Sequence, residues 1–375
     1  MKLLILSCDT GDGSPGAALA LCEAAEERGI DCVMADPDKF GRGWTKSAVI
    51  YSGKKLKKSI PRLYRAVYSA SGLLDKAGIT SPLYYANATY AEELADYIKA
   101  EGFDAVISTH LHGMEAMTAV RRRTGLSVPA YGVLTEFAYV PLLSETELDF
   151  YFVPHKGIAP KLMDKGVGPD RFRVTGVPVD RRFSKGPGRA EARNFLVIPK
   201  KKRVYVINSI GLKPSYVSNL CEYLAGLEKK DVLIYVLADR ESELFEKLSR
   251  KLKKKLPDEP MIQTAAYSER ENFYIAAANV AINAADGVLC ARNAALGTPM
   301  VLPHTVSGTE SGNADFLAKR ELCLKAKSAW DCALKARRLL DDRAEAERMV
   351  SIERMNAFSD AADTIIDHIT EGKEK

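Results

Sequence analysis

Residues Asn283–Phe316 read NAADGVLCARNAALGTPMVLPHTVSGTESGNADF. An apolar run ends near Asn283, breaks at Asp286-Gly287, continues as a small-residue helix to Ala295, turns at Gly297 and enters a second strand at Met300–Leu302. A strand that passes through a glycine-containing turn into a helix presents unpaired backbone N–H groups, and an anionic phosphate is held there at least cost. The loop expected at Gly308-Thr309-Glu310-Ser311-Gly312-Asn313 adds a carboxylate and an amide just beyond a strand end, where open α/β sheets bind their ligands. These residues outline a nucleotide site. An ordinary βαβ unit with a polar loop accounts for the same pattern.

The same rhythm surrounds this stretch. Upstream, Arg203–Asn208 reads as a strand, Ser209–Ser215 as a polar loop containing Gly211, and Tyr216–Leu227 as a helix. Val232–Leu237 is a second strand, Glu241–Leu256 a basic helix, Met261–Thr264 a short strand and Phe273–Ala278 a small helix. The N-terminal half repeats the alternation. Lys2–Ser7 is a continuous apolar run of the kind covered on both faces in a parallel sheet. A glycine-rich turn follows, then a helix over Ala17–Arg28 and strands at Gly29–Ala35, Ala105–Ser108, Val128–Leu134 and Leu148–Val153. The expected fold class is α/β, with two doubly wound, Rossmann-like domains. Residues 1–183 form the first and 203–327 the second, joined by a linker over 184–202 that begins with the turn-rich SKGPGR. Residues 328–375 are expected as a helical tail long enough to cross back to the first half.

Composition narrows the partners. The 375 residues are 46% hydrophobic and 27% charged, an ordinary balance for a folded chain of about two domains. The net charge of +5 is modest, but Arg42, Lys46, Lys54, Lys55, Lys57, Lys58, Arg62 and Arg65 occur in a stretch without a single Asp or Glu. Interleaved with Trp44, Tyr51 and Tyr64, they have the composition of a segment that lies on an anionic membrane surface. A solvated helix face is the plainer alternative. No recognised nucleic-acid module accompanies the basic run. The seven cysteines are scattered without a C-x-x-C pair, as expected for buried thiols in a reducing compartment. No stretch reaches the roughly 18 apolar residues of a membrane span, so membrane contact is expected to be peripheral.

Several residues have the chemistry of a site. Asp36 and Asp38 have a D-x-D spacing that can hold a divalent ion, although acids flanking Pro37 more often form turns. His110 and His112, at i and i+2 after a strand, are a weak ligand pattern, and either can contact substrate or cap the next helix. No metal is expected.

The ordered motifs are more specific together than singly. The opening LSCDTGDGSPGAALAL, the segment Thr135-Glu136-Phe137-Ala138-Tyr139 with Pro141, and the run Asp149, Tyr151 and Val153 come first. Val174-Thr175-Gly176-Val177-Pro178-Val179, Ala276–Asn279, Leu296-Gly297 with Pro299, and Gly308-x-Glu310-x-Gly312-Asn313 follow. In this order they resemble the monogalactosyldiacylglycerol synthases and processive diacylglycerol glucosyltransferases, a GT-B group related to MurG-type enzymes. The resemblance runs from Leu3 to about Leu317. It implies a GT-B fold with a cleft between the domains, and an inverting transfer of hexose from a UDP-sugar to a lipid acceptor such as diacylglycerol. No cofactor or metal is implied, and the implied place of action is the cytoplasmic, inner face of the plasma membrane.

By the same resemblance, Ser209, Gly211, Gly287, Arg292, Thr309, Glu310 and Asn313 are donor-binding, and Gly11 and Gly13 belong to the acceptor-side loop. Trp44, Lys54, Lys55, Lys57, Lys58 and Arg62 meet the membrane. Glu136, Asp12, Ser14 and His110 are the candidates for proton removal. Ser14 stands where the family has histidine, and Glu136 stands for aspartate. Val140 replaces a second histidine, and Arg292 stands where a glutamate would bind hydroxyls. The alternative is therefore a GT-B-fold binding or regulatory protein without catalysis.

Overall fold

The computed structural model describes residues 1–8, 13–40, 70–228, 231–238, 246, 250, 262–266, 270–304, 308–356 and 360–371. The basic segment 42–65, with Trp44, Lys54, Lys55, Lys57, Lys58 and Arg62, lies outside the described residues, as do Gly11, Asp12 and most of the expected helix 241–256. The chain divides into two compact units. One comprises Met1–Asp180, Val306–Thr309 and Phe358–Lys375, and the other Arg181–Thr305 and Glu310–Ala357.

The first unit is built on six parallel strands: β1 (Lys2–Leu6), β2 (Asp31–Ala35), β3 (Ala105–Ser108), β4 (Ala130–Val133), β5 (Phe150–Val153) and β6 (Phe172–Val174). Their order is β2-β1-β3-β4-β5-β6. The apolar run of β1 divides by the two-residue period of a strand. Leu4 and Leu6 join the core formed with helices Ala91–Glu101 and Leu111–Thr124, while Leu3 and Ile5 join the core on the opposite face. That second core contains Ala18, Leu21 and Ala25 of helix Gly13–Glu26, and Ile365, Ile366 and Ile369 of the C-terminal helix Ala361–Glu371. Arg28 ties the two helices, meeting Asp363 at 2.9 Å and Asp367 at 2.7 Å. The end of the expected helical tail is thus part of the first unit.

The second unit repeats the plan with β7 (Arg203–Asn208), β8 (Val232–Ala238), β9 (Ile262–Ala266), β10 (Val280–Ile282), β11 (Met300–Leu302) and β12 (Leu324–Lys325), ordered β12-β11-β10-β7-β8-β9 and all parallel. Tyr205 and Ile207 bury one face against helices Pro214–Leu227 and Ala329–Asp341.

Two local expectations change. The linker expected over 184–202 contains a helix, Arg189–Phe195, that belongs to the second unit's packing. Phe195 stacks on Phe273 with centroids 4.1 Å apart, and Arg193 donates to the Ala277 carbonyl and the Asn279 side chain. The high charge of that stretch masks an apolar pair at i and i+3, Ala192 and Phe195. The polar loop expected at 308–313 is the first turn and a half of helix Gly308–Lys319. Ala314 and Leu317, at i and i+3, are buried and give the helix its inner face, and Glu310 sits in the first turn, where a helix favours negative charge.

Candidate active site

In each sheet the strand order reverses at one point, between β1 and β3 in the first and between β7 and β10 in the second. The loops that leave those strands diverge there, and polar groups at the strands' carboxyl ends are left without a covering crossover.

At the first reversal the loops after β1 and β3 bring together Ser7, Cys8, Ser14, Thr109, His110 and His112. The Ser14 hydroxyl lies 2.8 Å from that of Thr109 and 3.0 Å from that of Ser7, and all three residues are buried. His110 is the N-cap of helix Leu111–Thr124. Its Nδ1 accepts the His112 backbone N–H at 3.3 Å, which settles capping as one of its roles. Gly113 lets this helix close on the strands, since a Cβ there would lie 3.0 Å from the Leu6 Cβ and 3.2 Å from the Ser108 hydroxyl. The His110 and His112 rings meet edge to face at 4.6 Å. Desolvation pushes the His110 imidazole down to about 4, and burial reinforced by His110 holds His112 well below its usual value. Both rings are therefore neutral at pH 7.

Glu136 is half-buried on the loop after β4, the next strand in the sheet. His155, which follows β5 and played no part in the sequence reading, holds that loop. Its Nε2 donates to the Phe137 carbonyl at 2.8 Å, its Nδ1 accepts from the Gly157 N–H at 3.0 Å, and the two rings stack 6.1 Å apart. A histidine directly after a strand end was the available signal.

At the second reversal, Ser209 and Gly211 turn the chain from β7 into helix Pro214–Leu227. Gly211 has φ +74°, and a Cβ on it would stand 3.1 Å from the Ala284 Cβ in the loop after β10. The turn thus needs glycine for both conformation and space. Two helix N-termini flank this point. Helix Gly287–Ala295 is capped by Asp286, whose carboxylate accepts the Val288 and Leu289 N–H groups, both at 3.0 Å. Burial pushes the Asp286 carboxyl up, and Glu310 adds to that shift. Helix Pro214–Leu227 begins at Lys213 without a side-chain cap, and its first turn contains no acid.

Arg292 is 5% exposed. It pairs with buried Glu271 at 3.4 Å and lies 4.6 Å over the Phe183 ring. It is therefore part of the unit's interior and not a solvated arginine on a helix surface. Glu271 also accepts from the Asn208 side chain at 3.1 Å. Sequence reading missed Glu271 because its partners lie 63 and 21 residues away. Asn313 is fully buried and donates to the Ala285 carbonyl at 2.8 Å, bracing the loop after β10. Thr309 and Glu310 are half-buried on the first turn of their helix.

Two six-stranded parallel Rossmann-like units define a GT-B fold. The structure aligns with that of Acinetobacter baumannii MurG over 99% of both chains at TM-score 0.64 and 14% identity. It aligns with the S. aureus MnaA–UDP co-structure over 100% of this chain and 97% of that one, at TM-score 0.65 and 13% identity. Residues 16–179 match the family model described as monogalactosyldiacylglycerol (MGDG) synthase. A processive diacylglycerol beta-glucosyltransferase of Bacillus cereus is 26% identical over 372 residues, covering 98% of this chain and 93% of the relative. In sequence the chain is similar to the MGDG synthases and processive diacylglycerol glucosyltransferases.

Proposed function

We propose that the chain is an inverting hexosyltransferase that moves a sugar from a UDP-sugar to a diacylglycerol-type acceptor at a membrane surface. The observation that carries this reading is the similarity, over 98% of the chain, to a protein named processive diacylglycerol beta-glucosyltransferase. On this reading the parts are assigned as follows. In the second unit Asp286 occupies the Val288 and Leu289 N–H groups, which favours the uncapped N-terminus of helix Pro214–Leu227, with the adjoining Gly211 turn, for the diphosphate. Glu310 and Thr309 serve the ribose and sugar hydroxyls, and Asn313 and Gly287 shape the loop between them. Arg292 offsets the carboxylates of Glu271 and Asp286.

In the first unit the Ser14 hydroxyl bonds to two other hydroxyls and acquires no base from them. His110, with a conjugate acid near pKa 4, has little drive to accept a proton at neutral pH. Glu136 is the base this arrangement favours, with Asp12 outside the described residues. The acceptor oxygen attacks the anomeric carbon and its proton passes to Glu136. The bond to the diphosphate oxygen breaks, and UDP leaves with the electron pair, stabilised by the N–H groups of the second unit. The basic segment 42–65 and the exposed Leu73, Ile79 and Tyr85 that follow it support attachment to an anionic leaflet on the cytoplasmic side. No helix among the described residues is long and apolar enough to cross a membrane.

Titration with UDP, with GDP as control, tests the donor site. Selective UDP binding that is lost in Glu310→Ala is expected, followed by UDP-sugar-dependent glycosylation of diacylglycerol in anionic vesicles. Absence of UDP binding would remove the transferase reading. A binding protein without turnover is the second reading, favoured by Ser14 having, among the described residues, hydroxyl side-chain partners at the family's histidine position. It is selected if UDP binds and no donor sugar is transferred.

A further inference from the structure

We propose that Cys8, His110 and His112 form a three-ligand site for a zinc-class transition-metal ion at the strand reversal of the first unit. Cys8 lies two residues beyond β1, and the histidines lie two and four residues beyond β3. The two strands are adjacent and parallel, with Leu6 paired to Ser108. Residues about a hundred positions apart therefore leave the same sheet edge side by side. The Cys8 sulfur and one ring nitrogen from each histidine lie within 4.8 Å of one another.

A second observation comes from His112. Its side chain is 9% exposed, and its Nδ1 is buried without a hydrogen-bond partner among the described residues. Burying a ring nitrogen without a partner is unfavourable, and a metal ion is one group that satisfies it. His110 is oriented for the same purpose: its Nδ1 accepts the His112 N–H, so Nε2 is its ligating atom, and the cap fixes the ring plane. One thiolate with two imidazoles selects Zn(II), Co(II) or Cu(I) over Mg(II), which prefers oxygen ligands.

Zn–N bonds of about 2.0–2.1 Å and a Zn–S bond of about 2.3 Å set ligand separations of roughly 3.4–3.7 Å, so side-chain rotations closing the triangle by about 1 Å complete the site. Three protein ligands leave a fourth position for water or a hydroxyl-bearing ligand. The thiol proton goes to solvent on binding. The site is independent of the sugar-transfer reading and stands whether or not UDP binds.

The test uses the full-length protein stripped with a chelator and titrated with Co(II), with Zn(II) as competitor. The expected result is one equivalent of Co(II) with the visible bands of a tetrahedral ion and a thiolate charge-transfer band. Cys8→Ser should abolish the charge-transfer band, and His112→Gln should weaken binding at least about 30-fold. Cys221→Ser, a buried thiol of the second unit, should leave the spectrum unchanged. Circular dichroism establishes that each variant is folded. The rise in Tm that Zn(II) produces should disappear in folded Cys8→Ser and persist in Cys221→Ser. Wild-type protein that takes up no Co(II), or folded Cys8→Ser and His112→Gln variants that bind it as the wild type does, would overturn the assignment.

Discussion

The two strand reversals share a topology and differ in chemistry. The first is lined by hydroxyls, imidazoles and a thiol, with Glu136 on the adjoining loop. The second is built of amides and charged pairs, with one helix N-terminus closed by Asp286 and another left open. A doubly wound sheet thus fixes where ligands can go, and the residues in the first few positions after each strand decide what is done there.

The largest effect that would sharpen this contrast is kinetic. Glu136→Gln is expected to lower kcat by about 10²–10⁴ while UDP affinity stays unchanged. Equal losses in turnover and UDP binding would show that the first unit's loop does more than move a proton. Next in size is Arg292→Met, which leaves Glu271 buried without its ionic partner. Chemical denaturation should reveal a loss of about 3–5 kcal/mol, most of it recovered in the Arg292→Met/Glu271→Met double variant.

Glu115 gives a pH-dependent comparison within the first unit. It is fully buried, bonded to the Asn87 side chain, and burial raises its carboxyl from 4.5 to about 8. The folded state keeps a proton that the unfolded chain loses above pH 4.5. Its contribution is therefore fully present below pH 4.5 and falls as pH rises toward 8. Glu115→Gln should flatten that decline and stabilise the protein at pH 8 by an amount on the order of 1–3 kcal/mol, read from unfolding midpoints at pH 5 and 8. The smallest effect separates the two helix N-termini. Asp286→Ala should cost about 1 kcal/mol, whereas Lys213→Ala removes no cap and should lie within about 0.5 kcal/mol of wild type in the same melts.

Much of the architecture could be read from the chain. The buried run Lys2–Leu6, the restart at Arg203 and the strand–turn–helix of Asn283–Ala295 all express their structure within a few residues. The site was less legible. Ser209, Gly211, Thr309, Glu310 and Ser14 stand out as candidates from the family resemblance, and each sits at a strand end or helix start. Glu271 and His155 were not found, since neither breaks a local rule. Charge in 189–195 and the small polar residues of 308–313 suggested linker and loop, yet the first presents Ala192 and Phe195 to a neighbour and the second leads into buried Ala314 and Leu317, and both fold as helix.

By itself the sequence determined two Rossmann-like halves, the places where their strands end and the polar residues that follow, because periodicity and turn chemistry are local. Tertiary structure alone decided that Arg292 is an interior ion-pair partner, that Asp286 closes its own helix, and that Cys8 meets His110 and His112. Those outcomes depend on which strands lie side by side and how much water is excluded, and neither is encoded within the span of a single helix or strand.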